Sequence, residues 1–196
     1  MGKVVTGFST SLDGFIAGPG DDVQHLFKWM SSGDTAYHFP GGMTVKVSPA
    51  SAEVLHGRVR AAGALVTGRR QFDNTHGWGG RHPVDVPVFV VTHEAPAAWL
   101  SKEGTPFTFV TEGVEAAIAQ AQAVAGDKVV IVDGANVVQQ AIRAGLVDEI
   151  GIDLIPVLLG QGVRYFDHLG PHPIELEQIE LTEAPGVTHM RFKVKK

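Results

Sequence analysis

Residues 128–162, KVVIVDGANVVQQAIRAGLVDEIGIDLIPVLLGQG, constrain the fold more than any other stretch. Val129-Val130-Ile131-Val132 is an unbroken β-branched run, the composition of a strand covered on both faces. The run stops at Asp133-Gly134-Ala135-Asn136. Beyond it Val137, Val138, Ala141 and Ile142 keep a helical period, and Gly145 stands where a left-handed C-terminal cap belongs. Ile150, Ile152 and Leu154 then alternate as a second strand, which Pro156 ends. A buried strand that turns through glycine into a helix leaves free backbone N–H groups at the carboxyl edge of a sheet. Anionic cofactor groups settle there in open α/β sheets. From this stretch alone, a close-packed turn without a ligand is an equal alternative.

The same alternation runs through most of the chain. Lys3 to Ser9 reads as a first strand, and residues 11–20, SLDGFIAGPG, as a shaped loop. Asp21-Asp22 offers an N-cap to a helix carrying Val23, Leu26, Phe27 and Met30 at helical spacing. Residues 31–47 are irregular and Gly-rich. Their aromatic residues Tyr37 and Phe39 either contact a substrate or cover the core's edge. Ser48 caps a helix reaching about Arg60, and Ala64-Leu65-Val66-Thr67 and Val88-Phe89-Val90-Val91-Thr92 are further buried-type strands. A helix near Pro96, a strand at 107–110 and an Ala-rich helix over 114–125 follow. The end of the chain predicts an antiparallel hairpin turning at Pro185-Gly186, with one slip in the alternation of Ile174, Leu176, Ile179 and Leu181 that marks a bulge.

Two arginines, Arg69 and Arg70, follow Gly68 at the end of the strand over 64–67. In the first turn of a helix the macrodipole disfavours each cation by a few tenths to ~1 kcal/mol. A phosphate bound at that corner would compensate; solvation of both side chains is the other reading. With 196 residues and a net charge of −5, the chain has no electrostatic footprint for nucleic acid, and no Lys/Arg run exceeds two residues. It has no cysteine, so disulfides, thiolate zinc sites and cysteine nucleophiles are excluded together. No apolar stretch approaches the ~20 residues of a membrane span, and no signal-peptide core precedes the first strand, so no membrane partner is expected and the cytoplasm is the expected location. The nine histidines are scattered, and Gly170-Pro171 separates His168 from His172, so no metal site is expected. The G-x-G-x-x-G fingerprint, the Walker A loop and the G-x-S-x-G elbow are all missing.

Three groups of residues carry a resemblance. They are Ser11 to Gly18; Leu65-Val66-Thr67-Gly68-Arg69-Arg70; and the long block from Asp133-Gly134-Ala135-Asn136 through Ala144-Gly145-Leu146-Val147-Asp148-Glu149 to Pro156-Val157-Leu158-Leu159-Gly160-Gln161-Gly162 and Phe166. In order and spacing the chain resembles the bacterial dihydrofolate reductase-like group that includes the RibD C-terminal domain family. The resemblance implies one α/β domain over residues 1–196: a mixed, mainly parallel sheet of about eight strands flanked by helices, with a C-terminal antiparallel hairpin. It implies NADPH at the carboxyl ends of the central strands. Ile16, Ala17 and Gly18 would border the nicotinamide, and Gly68, Arg69 and Arg70 would bind phosphates. Thr92 and His93 would lie by the adenosine end, with Asp133, Gly134, Ala135, Asn136 and Val137 by the pyrophosphate. The chain departs from the family at Gly134-Ala135, where Gly-Gly is common with an unusual peptide geometry, and at Gln71, where Thr is usual.

The implied chemistry is hydride transfer from NADPH to a C=N or C=O bond of a small heterocycle, which also needs a proton. Asp13 and Asp22 are the candidate donors. Asp13 has an equal alternative role, bonding the backbone N–H groups of its own loop. Three functions follow: a reductase of a pterin-like or other heterocycle, the riboflavin-pathway reductase acting on a ribosylated aminopyrimidine, and a non-catalytic NADP-binding module. A homodimer is expected by analogy with the family.

Overall fold

The structure is a computed structural model and describes residues 2–100 and 104–196. Strand β1 (Val4–Ser11) leads to a short β2 (Phe15–Ala17) and, after two 3₁₀ turns, to a hairpin of β3 (Thr35–His38) and β4 (Thr44–Val47). The α/β alternation then runs α1 (Pro49–Ala61), β5 (Ala62–Gly68), α2 (Arg69–Asn74), β6 (Val88–Val91), α3 (Ala97–Leu100), β7 (Phe107–Val110), α4 (Val114–Ala125), β8 (Val129–Val132), α5 (Ala135–Arg143) and β9 (Glu149–Ile155). A two-residue β10 (Val163–Arg164) pairs with β2, and β11 (Leu176–Ala184) and β12 (Val187–Val194) close the chain.

Eight strands form one sheet in the order β11-β12-β9-β1-β8-β5-β6-β7. The six strands from β9 to β7 are parallel; β12 runs antiparallel to β9, and β11 to β12. Helices α4 and α5 bury Ala117, Ile118, Val137, Val138 and Ala141 against Val4, Val66, Val130 and Val132 on one face. On the other face α1 packs Leu55 with Ile155 and Val187, and α2 packs Phe72 with Leu65, Val88 and Val90.

Local chemistry accounts for the element ends. Ser48 accepts the Ser51 amide at the start of α1. Past α5 the Leu146 amide reaches the Ala141 carbonyl around Gly145 at φ 68°, a Schellman closure. The bulge in β11 falls between Gln178 and Glu180, where the alternation slips.

Two expectations change. The helix predicted over residues 23–30 is a run of turns ending in the 3₁₀ segment Lys28–Ser31. Leu26 and Trp29, three apart, are the buried pair, the spacing of a 3₁₀ turn, while Val23 and Phe27 are exposed. The irregular stretch over 31–47 contains the β3–β4 hairpin, and Phe39 and Val47 pack with Leu26, Trp29 and Leu55. Those aromatics cover the core's edge. Among the described residues no helix is long and apolar enough to cross a membrane, and no cluster of His, Asp and Glu gathers as a metal set.

Candidate active site

The carboxyl ends of the parallel strands form one rim, and the residues singled out in the sequence lie along it. At its centre β5 and β8 are neighbours, and both turn through glycine into a helix. Gly68 is the N-cap of α2 and Gly134, at φ 86°, that of α5; neither helix start has a side-chain cap. A Cβ on Gly134 would stand 3.3 Å from the Gly68 amide nitrogen, so the two turns pack main chain to main chain. The first-turn N–H groups of Ala135, Asn136 and Val137 therefore sit at an uncapped, partly positive helix end. No cis peptide occurs among the described residues, so Gly134-Ala135 is joined in trans.

Both arginines of α2 pair with carboxylates while staying at least partly exposed. Arg69 Nε donates to Asp73 at 2.9 Å while its Nη1 reaches the Glu94 carbonyl at 2.9 Å and Thr92 Oγ1 at 3.5 Å. One side chain thus braces the β5 corner against the β6 corner. His93, beside it, is exposed. Arg70 forks onto Asp21 at 2.9 and 3.1 Å, and Asn74 donates to the same carboxylate at 2.8 Å. Asp21 stands at φ 63°, so the turn that follows β2 is fastened to α2 by a residue held in the left-handed region.

Ile16, Ala17 and Gly18 are buried, in or just after β2. The chain crosses closely here: a Cβ on Gly162, at φ 144°, would fall 2.0 Å from the Ala17 carbonyl oxygen. Behind this crossing a groove of about 340 Å³ opens between the first turns of α5 (Ala135, Asn136, Gln139) and residues Gly162, Val163 and Arg164.

The two acids proposed as proton donors do other work. Asp13 accepts from Ser11 Oγ at 2.6 Å and from the amides of Leu159 and Gly160 at 3.1 and 2.7 Å. The Ser11 hydroxyl and these amides hold its carboxyl down at about 2, so it is ionised at any physiological pH. Of the two roles left open by the sequence, holding the loop is the one the structure supports. Asp22 is exposed on a turn instead of capping a helix, and accepts the Gln24 amide.

Asp133 differs from both. Its Oδ1 accepts the Gly134 amide at 2.7 Å, and burial pushes its carboxyl up to about 6. Next to it on the adjacent strand, Thr67 is fully buried, and among the described residues its Oγ1 has no hydrogen-bond partner.

Sequence reasoning did not find a second polar layer. Arg58 grips Asp153 with two bonds of 2.8 Å, Asp153 meets His189 Nδ1 at 2.6 Å, and His189 Nε2 meets Ser51 Oγ at 2.9 Å. The Asp153 carboxyl is held below the usual carboxylate range by Arg58 and His189 against the cost of burial. Tyr165, also unforeseen, donates to Thr6 Oγ1 or the Gly151 carbonyl, each at 3.2 Å, and burial pushes its phenol far up.

Residues 2–189 match the family model of the RibD C-terminal domain. A solved protein from Shewanella sp. PV-4, described as a riboflavin biosynthesis protein, superposes with a TM-score of 0.75 at 22% identity, with 99% of each chain covered. The dihydrofolate reductase of Enterococcus faecalis, solved with NADP(H), superposes at 0.59 and 14% identity, covering 99% of this chain and 97% of that one. A diaminohydroxyphosphoribosylaminopyrimidine deaminase/5-amino-6-(5-phosphoribosylamino)uracil reductase of Thermotoga maritima gives 0.62 at 13% identity, with 99% of this chain matched to 57% of the other. At such identities the likeness shows the fold, an α/β sheet of the dihydrofolate reductase type. No curated protein sequence matches the chain.

Proposed function

This chain belongs to the RibD C-terminal domain family, and from that premise we propose that it is an NADPH-dependent reductase of a small heterocyclic substrate. The observation that carries the reading is the junction of Gly68 and Gly134, two uncapped helix starts in main-chain contact on neighbouring strands, with Arg69 and Arg70 beside them. Small residues let a pyrophosphate approach the backbone N–H groups, and the arginines supply the charge that a 2′-phosphate needs.

In this reading Gly134, Ala135, Asn136 and Val137 hold the pyrophosphate, and Asp133 fixes the turn through the Gly134 amide. Gly68, Arg69 and Arg70 face the phosphates, Thr92 and His93 the adenosine end, and Ile16, Ala17 and Gly18 border the nicotinamide. Arg70 then shares its guanidinium between Asp21 and the 2′-phosphate, which orders the turn after β2 over the cofactor. The reduced nicotinamide, when bound, supplies a hydride to a C=N or C=O carbon. The chain's own part is to bind, to orient and to exclude water from the acceptor bond.

The family match also favours a narrower reading, a ribosylated aminopyrimidine as the acceptor, the substrate type named for the Thermotoga relative. Titrating NADPH and NADH by nucleotide fluorescence, then following NADPH oxidation with dihydrofolate and with 5-amino-6-(5-phosphoribosylamino)uracil, separates the readings. NADPH is expected to bind at least tenfold tighter than NADH. Tight binding with no turnover on either acceptor would leave a nucleotide-binding module. Light scattering tests the homodimer that accompanies this proposal.

A further inference from the structure

A carboxylate that the chain carries onto its own coenzyme corner deepens this reading, on which the inference rests. Arg70 and Asn74, one turn apart on α2, aim three N–H donors at Asp21: Arg70 Nη2 at 2.9 Å, Arg70 Nε at 3.1 Å and Asn74 Nδ2 at 2.8 Å. A guanidinium fork is the arrangement with which side chains grip a carboxylate or a phosphate. The two side chains therefore already hold an anion, and it belongs to a residue 49 positions before Arg70.

The backbone of residues 18–22 brings Asp21 there. The Gly18 amide donates to the Asp22 carbonyl at 2.7 Å and closes a tight turn, in which Gly20 and Asp21 stand in the left-handed region at φ 69° and 63°. Asp is one of the few residue types enriched in that region. The turn leaves β2, whose Ala17 pairs with Val163 of β10, so its shape is fixed without the contact to α2. Strand β2 packs beside β1, and in the sheet β8 lies between β1 and β5. A turn that starts there and ties to α2, past the end of β5, crosses the rim at β8, where Gly134 begins α5. Asp73 pairs with Arg69 from within the same helix, whereas Asp21 reaches Arg70 from across the rim. Together these four side chains carry no net charge.

We propose that Asp21 sets how strongly this corner prefers a phosphorylated coenzyme: it occupies part of Arg70 and so tempers the hold on the 2′-phosphate of NADPH, leaving NADH untouched. A guanidinium has five N–H donors, and two of those on Arg70 face Asp21. Among the described residues its Nη1 bonds nothing else, and 72% of the side chain is exposed, so a phosphate can join from that end. A guanidinium shared with a carboxylate attracts a second anion less, and the carboxylate repels that anion directly. Asp21 thereby speeds release of the oxidised coenzyme, because affinity differences between close variants fall mostly on the dissociation rate. It touches no reacting atom and acts through Arg70, as a residue that sets specificity.

Fluorescence titration of the full chain with NADPH and with NADH tests this without any turnover. Asp21→Asn removes the charge and keeps a residue type suited to positive φ. Asp21→Gly frees the backbone as well, and the two variants are expected to behave alike. Each is expected to bind NADPH about fivefold tighter, the reach of an exposed ion pair, and NADH within about twofold of wild type. Stopped-flow displacement is expected to place the gain in slower NADPH dissociation. The gain is expected to vanish in an Arg70→Gln background and to shrink in roughly 1 M salt. In the coenzyme-free Asp21→Asn variant the Gly18 amide is expected to stay protected from hydrogen exchange, as its bond to Asp22 requires. Equal gains for both nucleotides, weaker NADPH binding, or a gain that persists without Arg70 would overturn the role of Asp21 and leave the reductase reading intact. Failure of the wild type to bind either nucleotide would overturn both.

Discussion

Replacing Asp133 with Asn should stabilise the protein, and by an amount that depends on pH. The carboxyl moves from 3.8 to about 6 on folding because burial disfavours its charge. Asn keeps an Oδ1 that can accept the Gly134 amide, so the substitution removes the charge and little else. The folded state holds the Asp133 proton more tightly than the unfolded chain, so wild-type stability from this group is full below 3.8. It is lost as pH climbs through about 6. Every tenfold gain in proton affinity on folding is worth ~1.4 kcal/mol, which gives ~3 kcal/mol as the upper bound for a half-buried side chain. Urea unfolding of both proteins from pH 4 to 8 reads this directly. The stability difference should open across pH 4–6 and stay level above. Every other carboxylate, including Asp153 and Asp148, is common to the two proteins and cancels. Parallel curves, or a wild type more stable than the variant at pH 7, would refute the claim that burial holds this carboxyl high.

Arg58→Ala strips the buried Asp153 of two 2.8 Å bonds and leaves it to His189; since Arg58 is itself partly exposed, about 3 kcal/mol is expected, at the low end for a broken buried pair, read by urea unfolding. Gly162→Ala drives a methyl into the Ala17 carbonyl at a positive φ, so β2 and β10 must part. About 1–3 kcal/mol and a measurable loss of NADPH affinity should follow, the second read by fluorescence titration. Arg70→Glu breaks an exposed ion pair with Asp21, so stability should change by less than about 1 kcal/mol. Its NADPH affinity should fall about tenfold or more while NADH affinity hardly moves, and equal losses for both nucleotides would remove Arg70 from the 2′-phosphate.

What could be read from the sequence was what local periodicity encodes. The β8–α5–β9 unit, the Ala-rich α4, the Ser48 cap and the bulge near Ile179 each follow from spacings within about ten residues. The stretch between β2 and α1 was not legible because its spacing fits two periods. Val23, Leu26, Phe27 and Met30 satisfy an α-helical stripe, but only Leu26 and Trp29 meet the core. Around the candidate site the glycine turns at Gly68 and Gly134 were legible, and contacts between residues far apart in the chain were not. Arg58 and Asp153 are 95 residues apart, and Ser51 and His189 138. Thr67 reads as an ordinary strand residue, although among the described residues its buried hydroxyl has no partner.

The choice among acids shows where motif reading fails. Asp13 and Asp133 both follow a strand and both precede a glycine, and nothing in the sequence ranks one above the other as a proton donor. Environment separates them. Asp13 is ringed by a hydroxyl and two amides that favour its charge, and is held at about 2. Asp133 has one amide and a desolvated seat, and is raised to about 6. The same side chain is thus held charged in one loop and biased toward its neutral form at the other strand end. Helix α1 places Ser51 and Arg58 in the buried layer with Asp153 and His189.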